Sequence, residues 1–207
     1  MIVAGSGSMQ VALYWELLDN TSGNSSSDDG IELLELCVAL LGKERIGLVI
    51  GDREFVGHKW IKYLKEKGLL FLMGLPKHHL IQRLDGEVRW VKQLDFQGQA
   101  PLLLKDCLVD GVWGDVWVKP LEAGAYLILL ATAKVEFFGQ LYRKRWRIET
   151  CFQSFKQRGF NLEKTHLKDL NKLKKLVALV SIAYSFCQSV DLPWPKSEKD
   201  QKQKARL

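Results

Sequence analysis

Paired cysteines are missing from this sequence. Its four cysteines, Cys37, Cys107, Cys151 and Cys187, are far apart and form no CxxC motif. That removes the usual framework of a zinc ribbon or a dithiol redox site and leaves reduced core thiols in a cytosolic protein as the expectation. The opening residues, MIVAGSGSMQ, lack the basic start and long apolar run of a secretion signal. Long hydrophobic runs are absent too. The segment LVALVSIAY at 176–184 is followed by Ser185, Gln188 and Asp191 and falls far short of the roughly 20 apolar residues that span a bilayer. A core helix is expected there, and no membrane partner. No internal repeat is visible. Acid is scarcer than base, 24 Asp and Glu against 30 Lys and Arg, giving a net charge of +6 and a pI near 9.1. The excess favours anionic partners, nucleic acid first, without choosing among them. Histidine is sparse, and His78 and His79 in PKHHL are expected to face solvent rather than hold a metal.

What is present is enough for one domain, or one domain with an insertion: 207 residues, 47% of them hydrophobic. QVALYWELLD (10–19) is rich in β-formers and reads as a strand, closed by the polar loop NTSGNSSSDDG (20–30). IELLELCVALL (31–41) has helical spacing, with Asp28 and Asp29 as capping candidates. IGLVIGD (46–52) reads as a buried strand ending in acid, FVGHKWIKYLKEKG (55–68) as an amphipathic helix closed by Gly68, and LLFLMGL (69–75) as a second buried strand. Strand, helix, strand makes a βαβ unit with parallel strands. Between about 86 and 133 the texture changes to EVRWVKQLDF, PLLLKDCLV, VWGDVWVKP and AYLILLATA, separated by Gly, Asp and Pro. That block predicts antiparallel strands without helices. Helical patterns return at 135–158 and 169–190, and the basic end PWPKSEKDQKQKARL is expected to be disordered.

The helix at 135–158 holds an unusual charge pattern. YRKRWRIETCFQSFK (142–156) has five cations around one carboxylate, Glu149. On an ideal helix Tyr142, Arg145, Glu149 and Lys156 fall in one sector about 60° wide. Leu141, Ile148, Phe152 and Phe155 form an apolar stripe beside it. Glu149 reads either as a surface ion pair with Arg145 four residues back or as a metal ligand. Asp52, at the carboxyl end of a strand where open α/β sheets gather ligands, reads either as an N-cap or as a metal ligand. Two such acids suit Mg²⁺, which keeps few protein ligands and several waters. Flanking Arg and Lys suit the phosphates of a polyanion. Trp90, Trp113 and Trp117 in the β-rich block read as packing residues, with base stacking as the alternative.

Tyr142-x2-Arg145-x3-Glu149-x6-Lys156 resembles the Y-R-E-K signature of the insertion-sequence-four family of DDE transposases. GDREFVG (51–57), GFNLEKTHLKD (159–169) and LLDNTSGNSSSDDGIELLE resemble other stretches of that family, so the similarity runs from about residue 10 to 190. The resemblance implies an RNase H-like α/β fold with an all-β insertion between the second catalytic Asp and the Glu. Divided accordingly, the chain has a first part of the core at 1–85, the insertion at 86–133, the helical remainder at 134–190 and a basic tail at 191–207. The resemblance assigns Asp52 and Glu149 as catalytic acids holding Mg²⁺ or Mn²⁺. It places Tyr142, Arg145 and Lys156 on transposon-end DNA, with Arg53 as a weaker DNA contact. It also implies hydrolysis at the element's ends, strand transfer to target DNA, a homodimeric synaptic complex and a bacterial cytosolic setting. A first catalytic Asp is expected on an opening strand, yet no aspartate precedes Asp19. Glu16 and Asp19 align better with a later strand and its loop. The sequence-level expectation is therefore a truncated frame, missing its first strand and inactive by itself; a DNA-binding remnant without chemistry is the alternative.

Overall fold

A computed structural model describes residues 1–6, 9–15, 26–94, 100–132, 135–156 and 159–189. The expected loop at 20–25, the acids Glu16 and Asp19 and the tail at 191–207 lie outside the described residues.

The apolar pattern at 10–19 yields β2 (Met9–Tyr14), and it pairs antiparallel with β1 (Ile2–Ser6), a strand the sequence reading did not anticipate in IVAGS. Helix α1 (Ser27–Leu41) starts four residues before its apolar repeat, because Ser26 and Asp29 form a reciprocal capping box. Ser26 is thus the N-cap, and Asp29 is its partner rather than the cap itself. Strand β3 (Val49–Gly51), a 3-10 turn at Arg53–Phe55, helix α2 (His58–Glu66) and β4 (Phe71–Gly74) follow. β3 and β4 are parallel, as a βαβ unit requires. Every residue of β4 is buried, whereas those of β3 are only half-buried. β3 is the edge strand of its sheet, which corrects the expectation of a fully buried strand there.

The β-rich region begins at β5 (Leu80–Gln82), earlier than its composition suggested, and continues through β6 (Val88–Trp90), β7 (Leu102–Val109), β8 (Val112–Pro120) and β9 (Tyr126–Ala131). All of these strands hydrogen-bond into the sheet that holds β3 and β4, in the order β3-β4-β9-β8-β7-β5-β6. The junction is β9, antiparallel to both β4 and β8. Thr132 extends it, its hydroxyl accepting from the Phe71 amide at 2.9 Å. Helix α3 (Phe138–Tyr142), a 3-10 turn at Arg143–Arg145, α4 (Trp146–Lys156), a 3-10 turn at Leu162–Thr165 and α5 (Leu170–Ser189) complete the chain.

These elements form two compact units, one from Leu18–Trp146 and the other from Met1–Leu17 with Arg147–Leu207. In the first, Leu72, Leu129, Ala131, Val135, Phe138 and Tyr142 pack α3 against the sheet. Trp117 stacks on Phe138 with ring centres 6.0 Å apart, so it is a packing residue, while Trp90 and Trp113 are exposed. In the second, Ala12 of the hairpin packs with Cys151, Phe155, Val177, Val180 and Tyr184. The segment 176–184 is helical as expected, but only one face is core: Leu179 and Ile182 are exposed. Among the described residues no helix is long and apolar enough to cross a membrane. Cys37, Cys107 and Cys151 are buried and Cys187 half-buried, all as free thiols.

The β7–β8 hairpin closes on Asp110 (φ 49°) and Gly111 (φ 75°), the left-handed pair of a two-residue turn. His58 Nδ1–H donates to the Asp110 carbonyl, and His79 Nδ1 meets the Asp110 carboxylate at 2.9 Å. His79 is therefore tied into the fold, contrary to the expectation that it faces solvent. A methyl at Gly111 would adopt a strained φ and meet His58 Nδ1 at 3.3 Å. Gly111→Ala is expected to lower stability by about 1–2 kcal/mol, read as a shifted urea midpoint with unchanged slope.

Candidate functional site

Asp52 leaves the end of β3 and caps the 3-10 turn that follows, its Oδ1 accepting from the Arg53 amide at 2.8 Å. The capping reading of this residue is thus correct as far as it goes. Two further groups reach the same carboxylate from about 90 residues downstream in the sequence. The Tyr142 hydroxyl donates to Oδ1 at 3.4 Å, and Arg145 Nη1 lies 3.2 Å from Oδ2. Arg145 is 14% exposed and Asp52 39% exposed, so the cation is nearly buried while one side of the acid still meets water.

The backbone explains why Tyr142 and Arg145 arrive together. The segment is not one regular α-helix: residues 143–145 form a 3-10 turn between α3 and α4. In that geometry residues three apart eclipse each other instead of standing about 60° apart. The Arg145 guanidinium accordingly lies over the Tyr142 ring, 5.7 Å from its centre, and 5.1 Å from the centre of the Trp146 ring. Tyr142, the last residue of α3, is buried in the core that this helix forms with the sheet. Its hydroxyl is pushed up from an ordinary value of 10 to about 12, first by burial and then by the negative charge of Asp52. Arg145 opposes the shift and does not cancel it.

Gly74, the last residue of β4, makes the close approach possible. A Cβ there would stand 2.6 Å from the Tyr142 hydroxyl oxygen and 3.0 Å from the Arg53 backbone nitrogen. Sequence reasoning missed this glycine as a site residue, although a glycine closing a run of buried apolar residues in LLFLMGL is the available signal. It also missed Trp146, the second ring flanking Arg145.

Of the residues singled out from the sequence, Asp52, Arg53, Tyr142 and Arg145 come together in one unit. Arg53 contributes through its amide, and its side chain is exposed. Glu149 and Lys156 belong to α4 in the other unit. They are seven residues apart on a regular helix, which puts them on one face. Glu149 is half-buried and Lys156 exposed. Lys156 borders a mainly apolar cavity of about 390 Å³ that includes Trp15, Phe152, Phe155 and His166. Phe152, expected in the buried stripe, is instead 39% exposed at this cavity.

Among the described residues no three His, Cys, Asp or Glu side chains gather to hold a metal ion. Asp52 nevertheless has the chemistry for a hard divalent cation. It is a partly exposed carboxylate whose second oxygen is matched by positive charge, supplied here by Arg145. Mg²⁺ asks for one or two such carboxylates and completes its shell with water.

The family model described as a transposase DDE domain matches residues 13–186, which includes all six of these residues. Comparison with curated proteins gives no match.

Because burial and the charge of Asp52 oppose ionisation of Tyr142, the folded state holds that proton more tightly than the unfolded chain. The stability it contributes is complete below pH 10 and is lost as the pH rises towards 12. An alkaline absorbance titration is expected to show two tyrosines, Tyr142 and Tyr184, ionising near pH 12, and only one of them remains in Tyr142→Phe. Loss of the ordinary, exposed tyrosine component instead would contradict this placement of Tyr142.

Proposed function

Because the chain belongs to the family of transposase DDE domains, we propose that it acts on DNA phosphodiesters, as the transposase of a bacterial insertion sequence of the insertion-sequence-four type. The supporting observation is the cluster at the end of β3, where an acid from a strand terminus meets a tyrosine and an arginine held by a helical turn. The sheet-and-helix architecture fits an RNase H-like core, with the β-rich block at 86–133 as its insertion.

In this reading Asp52 and Glu149 hold Mg²⁺ or Mn²⁺, which supplies Lewis-acid chemistry for activating water and stabilising a leaving oxygen. The protein's own groups do the rest. The Arg53 amide and the Tyr142 hydroxyl fix the aim of the Asp52 carboxylate. Arg145 and Lys156 bind backbone phosphates; a guanidinium does so with two parallel hydrogen bonds, an ammonium as a point charge. Tyr142 is 9% exposed, so its part is to support Asp52 and Arg145 rather than to reach far into solvent. Hydrolysis at the element's ends and strand transfer are both phosphoryl transfers at one acidic centre, within a homodimer bound to DNA in the cytosol.

The test is DNA binding over a range of salt in Mg²⁺ buffer, together with nicking of supercoiled plasmid. Arg145→Gln and Lys156→Gln are each expected to weaken binding about tenfold and to reduce the salt slope by about one. Any divalent-dependent nicking should vanish in Asp52→Asn and Glu149→Gln. Binding that ignores both cation substitutions overturns the reading.

A further inference from the structure

The pairing of Asp52 with Arg145 has a consequence for the order in which ligands enter, and it rests on the reading of Asp52 as a metal-holding acid. In that reading a divalent cation takes Asp52 Oδ2, the oxygen that Arg145 Nη1 already approaches at 3.2 Å. A metal ion and this guanidinium therefore compete for one partner. Neither charge is left alone without cost, because the arginine is only 14% exposed and poorly solvated charges demand partners.

We infer that Arg145 is an exchangeable counter-ion: it neutralises Asp52 in the metal-free protein and passes to a DNA phosphate when a divalent cation takes its place. The surroundings suit an exchange rather than a fixed structural pair. The guanidinium lies between two aromatic rings, Tyr142 and Trp146, at 5.7 and 5.1 Å from their centres. It can slide along these faces and keep its cation–π stabilisation while changing anions. Asp52 does not lose its aim when Arg145 departs, because Oδ1 is held separately by the Arg53 amide and the Tyr142 hydroxyl. The released guanidinium, still poorly hydrated, then prefers a phosphate that it can grip with two hydrogen bonds. Metal and polyanion thus favour each other's binding, and the coupling is reciprocal. Without metal, Asp52 withholds Arg145 from DNA; without DNA, Arg145 withholds Asp52 from metal.

The experiment measures Mn²⁺ binding to the full chain by electron paramagnetic resonance, with no DNA present. Asp52→Asn should remove the site. Arg145→Gln should bind Mn²⁺ about fivefold more tightly than the unaltered chain, because its competitor is gone, while Arg145→Lys should remain close to the unaltered chain. A second measurement uses a 20-base-pair duplex in EDTA. Asp52→Asn should bind it several-fold more tightly than Glu54→Gln, an exposed neighbouring acid that controls for the simple loss of negative charge. Mn²⁺ binding unaffected by Asp52→Asn would overturn both this inference and the metal-site reading beneath it. Mn²⁺ binding lost in Asp52→Asn yet not tightened in Arg145→Gln would overturn the exchange alone. If circular dichroism shows Arg145→Gln unfolded, the duplex measurement decides: equal affinities for the two acid variants end the proposal.

Discussion

A carboxylate at a strand end, matched by one guanidinium and one phenol from a distant helical turn, is the interaction on which the arrangement of this molecule turns. Asp52 alone would be a turn cap, and Arg145 alone a surface cation. Together they bind the end of β3 to the segment after α3, and Tyr142 is the common support of both. The glycine at the end of β4 belongs to the same constraint, since any side chain there would occupy the space of the phenol oxygen. Three elements separated in sequence are thus fitted to a volume set by one missing Cβ.

The parts of the fold that were legible in the sequence are those with an uninterrupted local pattern. α2 ends at its glycine, β4 is a continuous buried run, and α5 follows its apolar repeat. The start of α1 was readable only through its side chains: Ser26 and Asp29 carry the helix beyond the residues that its hydrophobic spacing identifies. β1 was missed because only Ile2 and Val3 of IVAGS favour a strand, and the remaining residues are extended through pairing with β2. The edge position of β3 was equally hidden, since apolar composition reports what a strand prefers and not how many neighbours it has.

For the site, spacing could not show that the helix through 142–156 is interrupted by a tighter turn. An ideal helix through 142–156 puts Tyr142, Arg145, Glu149 and Lys156 into a single ridge. A 3-10 turn of three residues stacks Tyr142 and Arg145 and brings the arginine to an aspartate more than ninety residues away. Nothing in RKR itself announces that tightening. His79 shows the same limit, because the Asp110 carboxylate that holds it depends on a turn about thirty residues later. Local periodicity cannot encode partners that only tertiary structure delivers.

The place of β9 has a consequence for how the chain becomes a protein. β4 emerges early from the ribosome with β3 as its partner, yet its opposite edge waits for β9, the last strand of the sheet to be synthesised. Until Ala131 has cleared the exit tunnel, a strip of backbone with every side chain in the interior class stands open. A nascent chain at that stage is a template for mispairing with its neighbours on the same message. The interval before β9 closes it is a hazard of which the finished sheet bears no trace.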